Sequence, residues 1–242
     1  MAFEWVAVAG GPSTPLITKG QIDDTVVAGQ LIIAVDGAGS NHGAIGDPGG
    51  ATTLKDCIGV TTEAATVSTV KASSAVEAEY IMNTDGSAWR APLSGATTVG
   101  TNPTVFVNDT QDTNALTVTH NQSGYTADYG NGYATLYCRS GANAGQLRKI
   151  SDGTTTTFVV VLPFDNTIEV DDTFVHLHTS LPGSISKIKT TTDFLGLNNV
   201  ANDDITSYGD ECLVLWYEGL EIAGEERVVF TWSTVMNQLA IS

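Results

Sequence analysis

Apolar residues along this chain come in short runs or in alternation with polar ones, each bounded by Gly, Asn, Asp or Pro, as in β-strands and their turns. A sustained 3.6-residue apolar period is scarce. The pattern predicts strands over residues 3–9, 26–35, 57–62, 104–107, 116–120, 133–139, 146–150, 157–162, 173–178, 184–189, 211–217 and 227–233. Residues 63–81 are less clear-cut. Ala and Glu permit a helix there, but Val67, Thr69, Val70 and their Ser/Thr neighbours favour strand, because β-branched side chains fit a pleated surface better than a helical one. With no firm helix among these segments, the expected fold is all-β: antiparallel β-sandwich or barrel modules with many short strands and tight turns.

Turn chemistry punctuates the strands. Asp36-Gly37, Asn83-Thr84-Asp85-Gly86, Asn131-Gly132 and Asp152-Gly153 tolerate positive φ and are expected to close hairpins. Asp-Asp precedes a β-rich run at Asp23-Asp24, Asp171-Asp172 and Asp203-Asp204. No longer period accompanies these pairs, so they read as turn residues and not as marks of duplication. Residues 90–96 and 181–184 read as linkers. The chain thus divides into an N-terminal β-domain (1–95), a β-module (96–180) and a C-terminal β-segment (181–242) that either stands alone or packs with the N-terminal domain around the module.

Composition sharpens this picture. Hydrophobic residues make up 42%, enough for a core in 242 residues, while charged residues reach only 15%. Thr, Ser, Asn and Gly supply the polar surface instead. The net charge of −17 is spread evenly: −6 in 1–95, −5 in 96–180 and −6 in 181–242. Such a surface repels phosphate backbones and no Lys/Arg cluster interrupts it, so no direct nucleic-acid partner is expected. Cys57, Cys138 and Cys212 are odd in number and far apart, which points to buried thiols and synthesis in a reducing cytoplasm. The N-terminal stretch has no basic region and carries Glu4, and no apolar run reaches the length of a membrane span, so neither a signal peptide nor a membrane partner is expected.

Candidate chemistry is thin. His176-Leu177-His178 in a strand would place two imidazoles on one face, but two ligands do not make a metal site, and surface or interface histidines are the expectation. His42 and His120 stand apart. Gly37-Ala38-Gly39 and Gly46-Asp47-Pro48-Gly49-Gly50 lack the Lys-Ser/Thr of a phosphate loop and read as flexible loops. No Gly-x-Ser-x-Gly occurs, and no cysteine has an activating neighbour in sequence. Asp171-Asp172, Asp210-Glu211 and Glu225-Glu226 are candidate carboxylate pairs. Adjacent residues of a strand point to opposite faces, however, so they read as solvated turn acids. Asp128 and Asp152 lack the surrounding pattern of a Ca²⁺ loop. No catalytic residue, metal ligand or cofactor is therefore assigned.

The most informative stretch runs from Gly132-Tyr133 through Cys138-Arg139-Ser140-Gly141-Ala142-Asn143-Ala144-Gly145-Gln146-Leu147-Arg148-Lys149-Ile150. Pro163-Phe164 and Asp171-Asp172-Thr173-Phe174 follow it. It resembles a module of tailed-phage virion proteins, in which Ser-Gly-Ala-Asn-Ala-Gly turns into a strand carrying Arg and Ile, and a Gly-Asp-Thr-Phe-like segment follows. Here Asp171 replaces the usual Gly. Upstream, Val26-Val27-Ala28-Gly29-Gln30-Leu31-Ile32 and Asp56-Cys57-Ile58-Gly59-Val60 are similar to capsid decoration (cement or head) proteins. The two regions cover under half the chain. The resemblance implies a non-enzymatic structural protein on the capsid exterior, bound to the major capsid protein, homo-oligomeric and most simply trimeric. Two further readings stay open: a tail or fibre component with receptor contact, and a carbohydrate-binding or hydrolytic β-protein.

Overall fold

The computed structural model describes residues 3–22, 25–36, 42–46, 57–66, 76–92, 104–122, 134–177, 181–183, 185–188 and 210–232. The first seven strands are β1 (Glu4–Val6), β2 (Ile17–Gln21), β3 (Leu31–Asp36), β4 (His42–Gly46), β5 (Cys57–Thr61), β6 (Glu77–Met82) and β7 (Ala88–Pro92). The middle six are β8 (Thr104–Val107), β9 (Thr117–Thr119), β10 (Thr135–Cys138), β11 (Leu147–Gly153), β12 (Thr157–Val160) and β13 (Thr173–Leu177). The last three are β14 (Ile185–Ile188), β15 (Asp210–Glu218) and β16 (Arg227–Thr231). The protein is all-β, and a 3-10 turn at Gly141–Asn143 is the helical element among the described residues.

Three antiparallel sheets result. The first, ordered β1-β7-β16-β15-β14, joins the two ends of the chain, with Trp89 opposite Phe230 and Arg90 opposite Val229. The second, β2-β6-β5-β3-β4, uses residues 17–82 and curls until a bridge between Ile22 and Ile45 brings its edges together. The third, β8-β13-β10-β11-β12-β9, uses residues 104–177. It also curls: the Asp109 amide donates to the Thr119 carbonyl at 2.9 Å, linking the ends of its two edge strands. Phe106, Leu136, Ile150, Phe158 and Phe174 fill its inside.

One continuous core links the sheets. Phe3, Trp89, Phe230 and Trp232 are buried together, with Trp89 and Trp232 at 5.3 Å and Phe3 and Phe230 at 5.8 Å between ring centroids. Leu31, Cys57 and Val60 reach this cluster from the second sheet, and Tyr137, Val175 and Leu177 from the third. Each buried indole needs a hydrogen-bond acceptor. Asn83 Oδ1 accepts from Trp89 Nε1 at 3.0 Å, while the Cys57 carbonyl accepts from Trp232 Nε1 at 3.3 Å. Cys57, Cys138 and Cys212 are all buried thiols, none in a disulfide.

Each of the twelve predicted segments contains a strand, and β6 lies across the end of the uncertain 63–81 stretch. The departures have physical causes. β7 begins before the expected linker and includes Arg90, Ala91 and Pro92, because β16 supplies backbone partners about 140 residues downstream that no local pattern announces. β2 and β4 are edge strands with little apolar content, and Ile45 anchors β4 in the core of the second sheet. Asp152-Gly153 does not close a hairpin. It ends β11 beside a bulge, and the reversal comes one step later, where Thr154 Oγ1 accepts from the amides of Thr156 and Thr157 at 3.2 and 3.0 Å. Threonine hydroxyls can replace Asn-Gly chemistry in this way. Asp23, Asp24, residues 37–40 and 47–50, Asp128, Asn131, Gly132, His178, Asp203 and Asp204 lie outside the described residues.

Asp171 takes up a backbone conformation more usual for Gly. Its φ is +71°, the left-handed conformation that Gly adopts without penalty and Asp tolerates. The turn here holds a left-handed residue that is not glycine. Gly141, at φ +75°, has no such latitude, since an added Cβ would collide with the Asp172 carboxylate. Asp171→Gly is therefore expected to be stabilising by up to ~1 kcal/mol, the relief of the left-handed penalty less the gain in unfolded-state entropy. Gly141→Ala should cost more than ~2 kcal/mol. Urea unfolding of both variants checks the pair, and a stabilised Gly141→Ala protein would refute the turn geometry.

Candidate functional site

The motif of residues 140–150 folds into a turn whose polar side chains face inward to the backbone. Ser140 Oγ accepts from the Thr173 amide at 2.8 Å. Asn143 is fully buried: its amide donates to the carbonyls of Asn166 and Thr167 at 2.9 and 3.2 Å, and its Oδ1 accepts from the Asn166 amide at 2.9 Å. Gln146 Oε1 accepts from the Asp165 amide and from Arg148. Arg148 then donates to the Pro163 carbonyl at 2.8 Å and pairs with Asp165 at 2.8 Å, its guanidinium 5.2 Å from the centre of the Phe164 ring. Thus the two halves of the motif, 140–148 and 163–173, are separated in sequence and joined in space. Asn108 repeats the device, donating to the carbonyls of Thr110 and Glu169 and accepting from the Thr119 amide.

The strands behind this turn are buried on both faces, which their apolar content requires. On the inside, Phe158 lies between two imidazoles, His120 at 4.8 Å and His176 at 4.9 Å between centroids. His176 is therefore a core residue, against the surface placement expected for it. Its strand β13 has its inward Phe174 and His176 and its outward Val175 and Leu177 all buried. Burial, which disfavours a cation, holds the His120 pKa below its ordinary value, although the Asp109 charge pulls it the other way. Burial also pushes the Cys138 thiol up to about 12, with the negative charge of Asp172 acting in the same sense. Cys138 is thus held as an unreactive thiol.

On the outside, the register places Val105, Val175, Tyr137 and Leu147 in one row across β8, β13, β10 and β11. The loop between β15 and β16, residues 219–226, covers the middle of that row. Leu220 is buried against it, and Arg139 donates to the Leu220 carbonyl at 2.7 Å. Arg139 also pairs with Glu226 at 2.7 Å, the two side chains 12% and 1% exposed. Tyr137 donates its hydroxyl to Glu221 at 2.9 Å; burial first and this bond second push its pKa up to about 12. Flanking this seam, Val105 and Val107 stay exposed on one side. On the other lies a groove of about 490 Å³ lined by Leu147, Lys149, Val161, Leu162 and Leu181. A second cleft, of about 480 Å³, lies between the first two sheets among Phe3, Trp5, Pro15, Val60, Ile81 and Trp89.

The candidate carboxylate pairs separate. Asp172 is buried and accepts from the Glu169 amide, while Asp171 is exposed; Glu226 is buried in the Arg139 pair, while Glu225 is exposed. Asp172 and Glu226 are therefore structural groups and not the solvated turn acids expected. Asp210 and Glu211 begin β15, opposite Ile188 and Lys187. Among the described residues, no group of three or more His, Cys, Asp or Glu side chains could hold a metal ion, and no helix could cross a membrane. The sequence reading missed Tyr137, Arg139 and Glu226 as a joined set. The available signal was an arginine at the end of a strand buried on both faces, since so few cations are present that each must find a specific partner.

No family model, curated protein or solved structure matches the chain.

Two outcomes test this geometry. Arg139→Ala leaves the Glu226 carboxylate buried without its cation and should cost ~3–5 kcal/mol, whereas Arg139→Met with Glu226→Leu should recover most of it. Equal losses in the single and double variants would show that the pair is not buried as described. Separately, the unfolded chain binds a proton at His120 before the folded one does. Stability is therefore complete above the unfolded value of 6.5 and falls as the pH drops through it. His120→Gln should flatten that limb. A second loss is expected at lower pH, below 4.5 and 3.8, from two depressed carboxylates. Glu218 is held down by its bond from Arg90. Asp112 is pushed up by partial burial, but the amides of Thr117, Asn114 and Leu116 outweigh that. Melting curves across pH 3–8 report both limbs.

Proposed function

We propose that this chain is a structural virion protein that decorates and stabilises the outside of a phage capsid, binding the major capsid protein as a homotrimer after synthesis in the host cytoplasm. One observation carries the reading. The residues that make the phage-like motif recognisable, Ser140, Asn143, Gln146 and Arg148, are used within their own module to hold turns. What the motif encodes is a rigid shape, and a rigid β-surface is what a cement protein contributes to a shell. The thinly charged, strand-rich chain supports the same reading, because its sheet edges need covering by symmetric assembly or by a partner. A trimer matches the local three-fold arrangements of an icosahedral shell, and once one subunit docks the others bind at high effective concentration.

Purified protein mixed with mature shells, immature shells and unassembled capsid subunits, then sedimented, tests the proposal. Binding to assembled shells at copy numbers that scale with the number of capsid subunits, with poor binding to free subunits, is expected. No binding to any of them refutes it. Saturation at a few copies per particle refutes it in favour of a tail component.

A further inference from the structure

The loop of residues 219–226 carries two large apolar side chains with opposite fates. Leu220 is buried in the seam against β10, and Ile222 is left 55% exposed. Glu221 and Glu225, its neighbours in the loop, are both exposed, and the Glu225 amide donates to the Ile222 carbonyl. Glu221 is held by Tyr137, while Glu225 has no ion pair among the described residues.

The groove beside the same seam has the complementary character. Val161 and Leu162 are 52% and 66% exposed along it, with Leu147 and Leu181 behind them. Arg148 and Lys149 line it, so 2 of the 10 basic residues in a chain of net charge −17 are found there. Arg148 is engaged with Asp165 and Pro163, whereas Lys149 has no ion pair among the described residues. Two copies of so acidic a chain repel one another over most of their surfaces and can approach most easily where one presents a cation. The groove is also continuous with a surface that already accepts this loop within one chain: Leu147 packs against the cluster holding Leu220, and its cross-strand neighbour Tyr137 binds Glu221.

We propose that the groove at Leu147, Lys149, Val161 and Leu162 is a self-association site that receives the Ile222 tip of a second copy, with Glu225 facing Lys149. Each copy then uses Leu220 to close its own seam and Ile222 to join its neighbour. Apolar side chains with exposed Ile222, Val161 and Leu162 bury one another, and the charge pair sets which way the tip enters. The inference rests on the homo-oligomeric half of the proposed function and not on its capsid half.

Analytical ultracentrifugation of the full chain over a range of concentrations tests it, with circular dichroism to check that each variant is folded. Wild-type protein is expected to associate. Ile222→Asp should weaken association by about tenfold or more, as loss of a central apolar anchor does. Lys149→Glu should weaken it as well, and adding Glu225→Lys to that variant should restore part of the loss. A wild-type protein that stays monomeric overturns the site. So does an Ile222→Asp protein that associates as tightly as wild type, or a charge swap that restores nothing. Shell sedimentation separates the two claims. Association through the tip without shell binding removes the capsid reading alone; shell coating with assembly untouched by Ile222→Asp removes this site alone.

Discussion

The pairing of β7 with β16 is the constraint on which the rest of the structure depends. Trp89 and Phe230 face one another across it, and the two strands are about 140 residues apart in sequence. Until they meet, β1 and β7 are an isolated pair, and β14, β15 and β16 a separate three-stranded unit. Once they meet, the aromatic cluster of Phe3, Trp89, Phe230 and Trp232 closes, and both other sheets gain a surface to pack on. The chain must therefore pair strands about 140 residues apart before its largest core exists. Loop closure of that length is costly and slow to search, so the self-contained sheet of residues 104–177 has reason to form first.

That order gives the seam at Arg139 its significance. The six-stranded sheet has an apolar inside filled by its own side chains, yet Val105, Val175, Tyr137 and Leu147 make its outside apolar as well. A sheet with two apolar faces needs a cover, and the 219–226 loop supplies one over the middle. The Arg139–Glu226 pair adds direction to that contact. An apolar cover alone could slide along the row, whereas a buried ion pair with a second bond from Arg139 to the Leu220 carbonyl selects one position. The flanks that the loop leaves open then become available to other chains.

Much of this was legible in the sequence, and the limits follow from physics. Strands with alternating or continuous apolar residues, such as β8 and β13, were visible because their own side chains carry the burial signal. β4 and β7 were not: His42–Gly46 is a strand through its pairing with the adjacent β3, and Ala88–Pro92 through its pairing with β1 and β16. The reversal at Thr154 was hidden because a hydroxyl can do what Asn-Gly usually does. The motif of residues 140–150 was readable as a pattern, but its contacts were not: that Gln146 and Arg148 reach the 163–165 segment is a fact of space. The same holds for His176. One imidazole beside another in sequence suggests a shared face, but only the packing around Phe158 says that the face is inside.

The scarcity of cations explains where the acidic surface comes from. Three of the four arginines, Arg90, Arg139 and Arg148, are engaged in joining segments distant in sequence. Arg90 binds Glu218 through two hydrogen bonds and reaches Glu4 at 3.4 Å, tying β1, β7 and β15. Arginine suits this work better than lysine, because its planar fork matches a carboxylate with two bonds and is more weakly hydrated. Arg90 and Arg139 neutralise the partly buried Glu218 and the buried Glu226, whereas Arg148 pairs with the exposed Asp165. The negative field itself follows from 27 acidic residues against 10 basic ones, and the committed arginines leave few cations free to break it locally. It repels a second copy least where a cation without an ion pair among the described residues stands beside apolar surface, as Lys149 does in its groove.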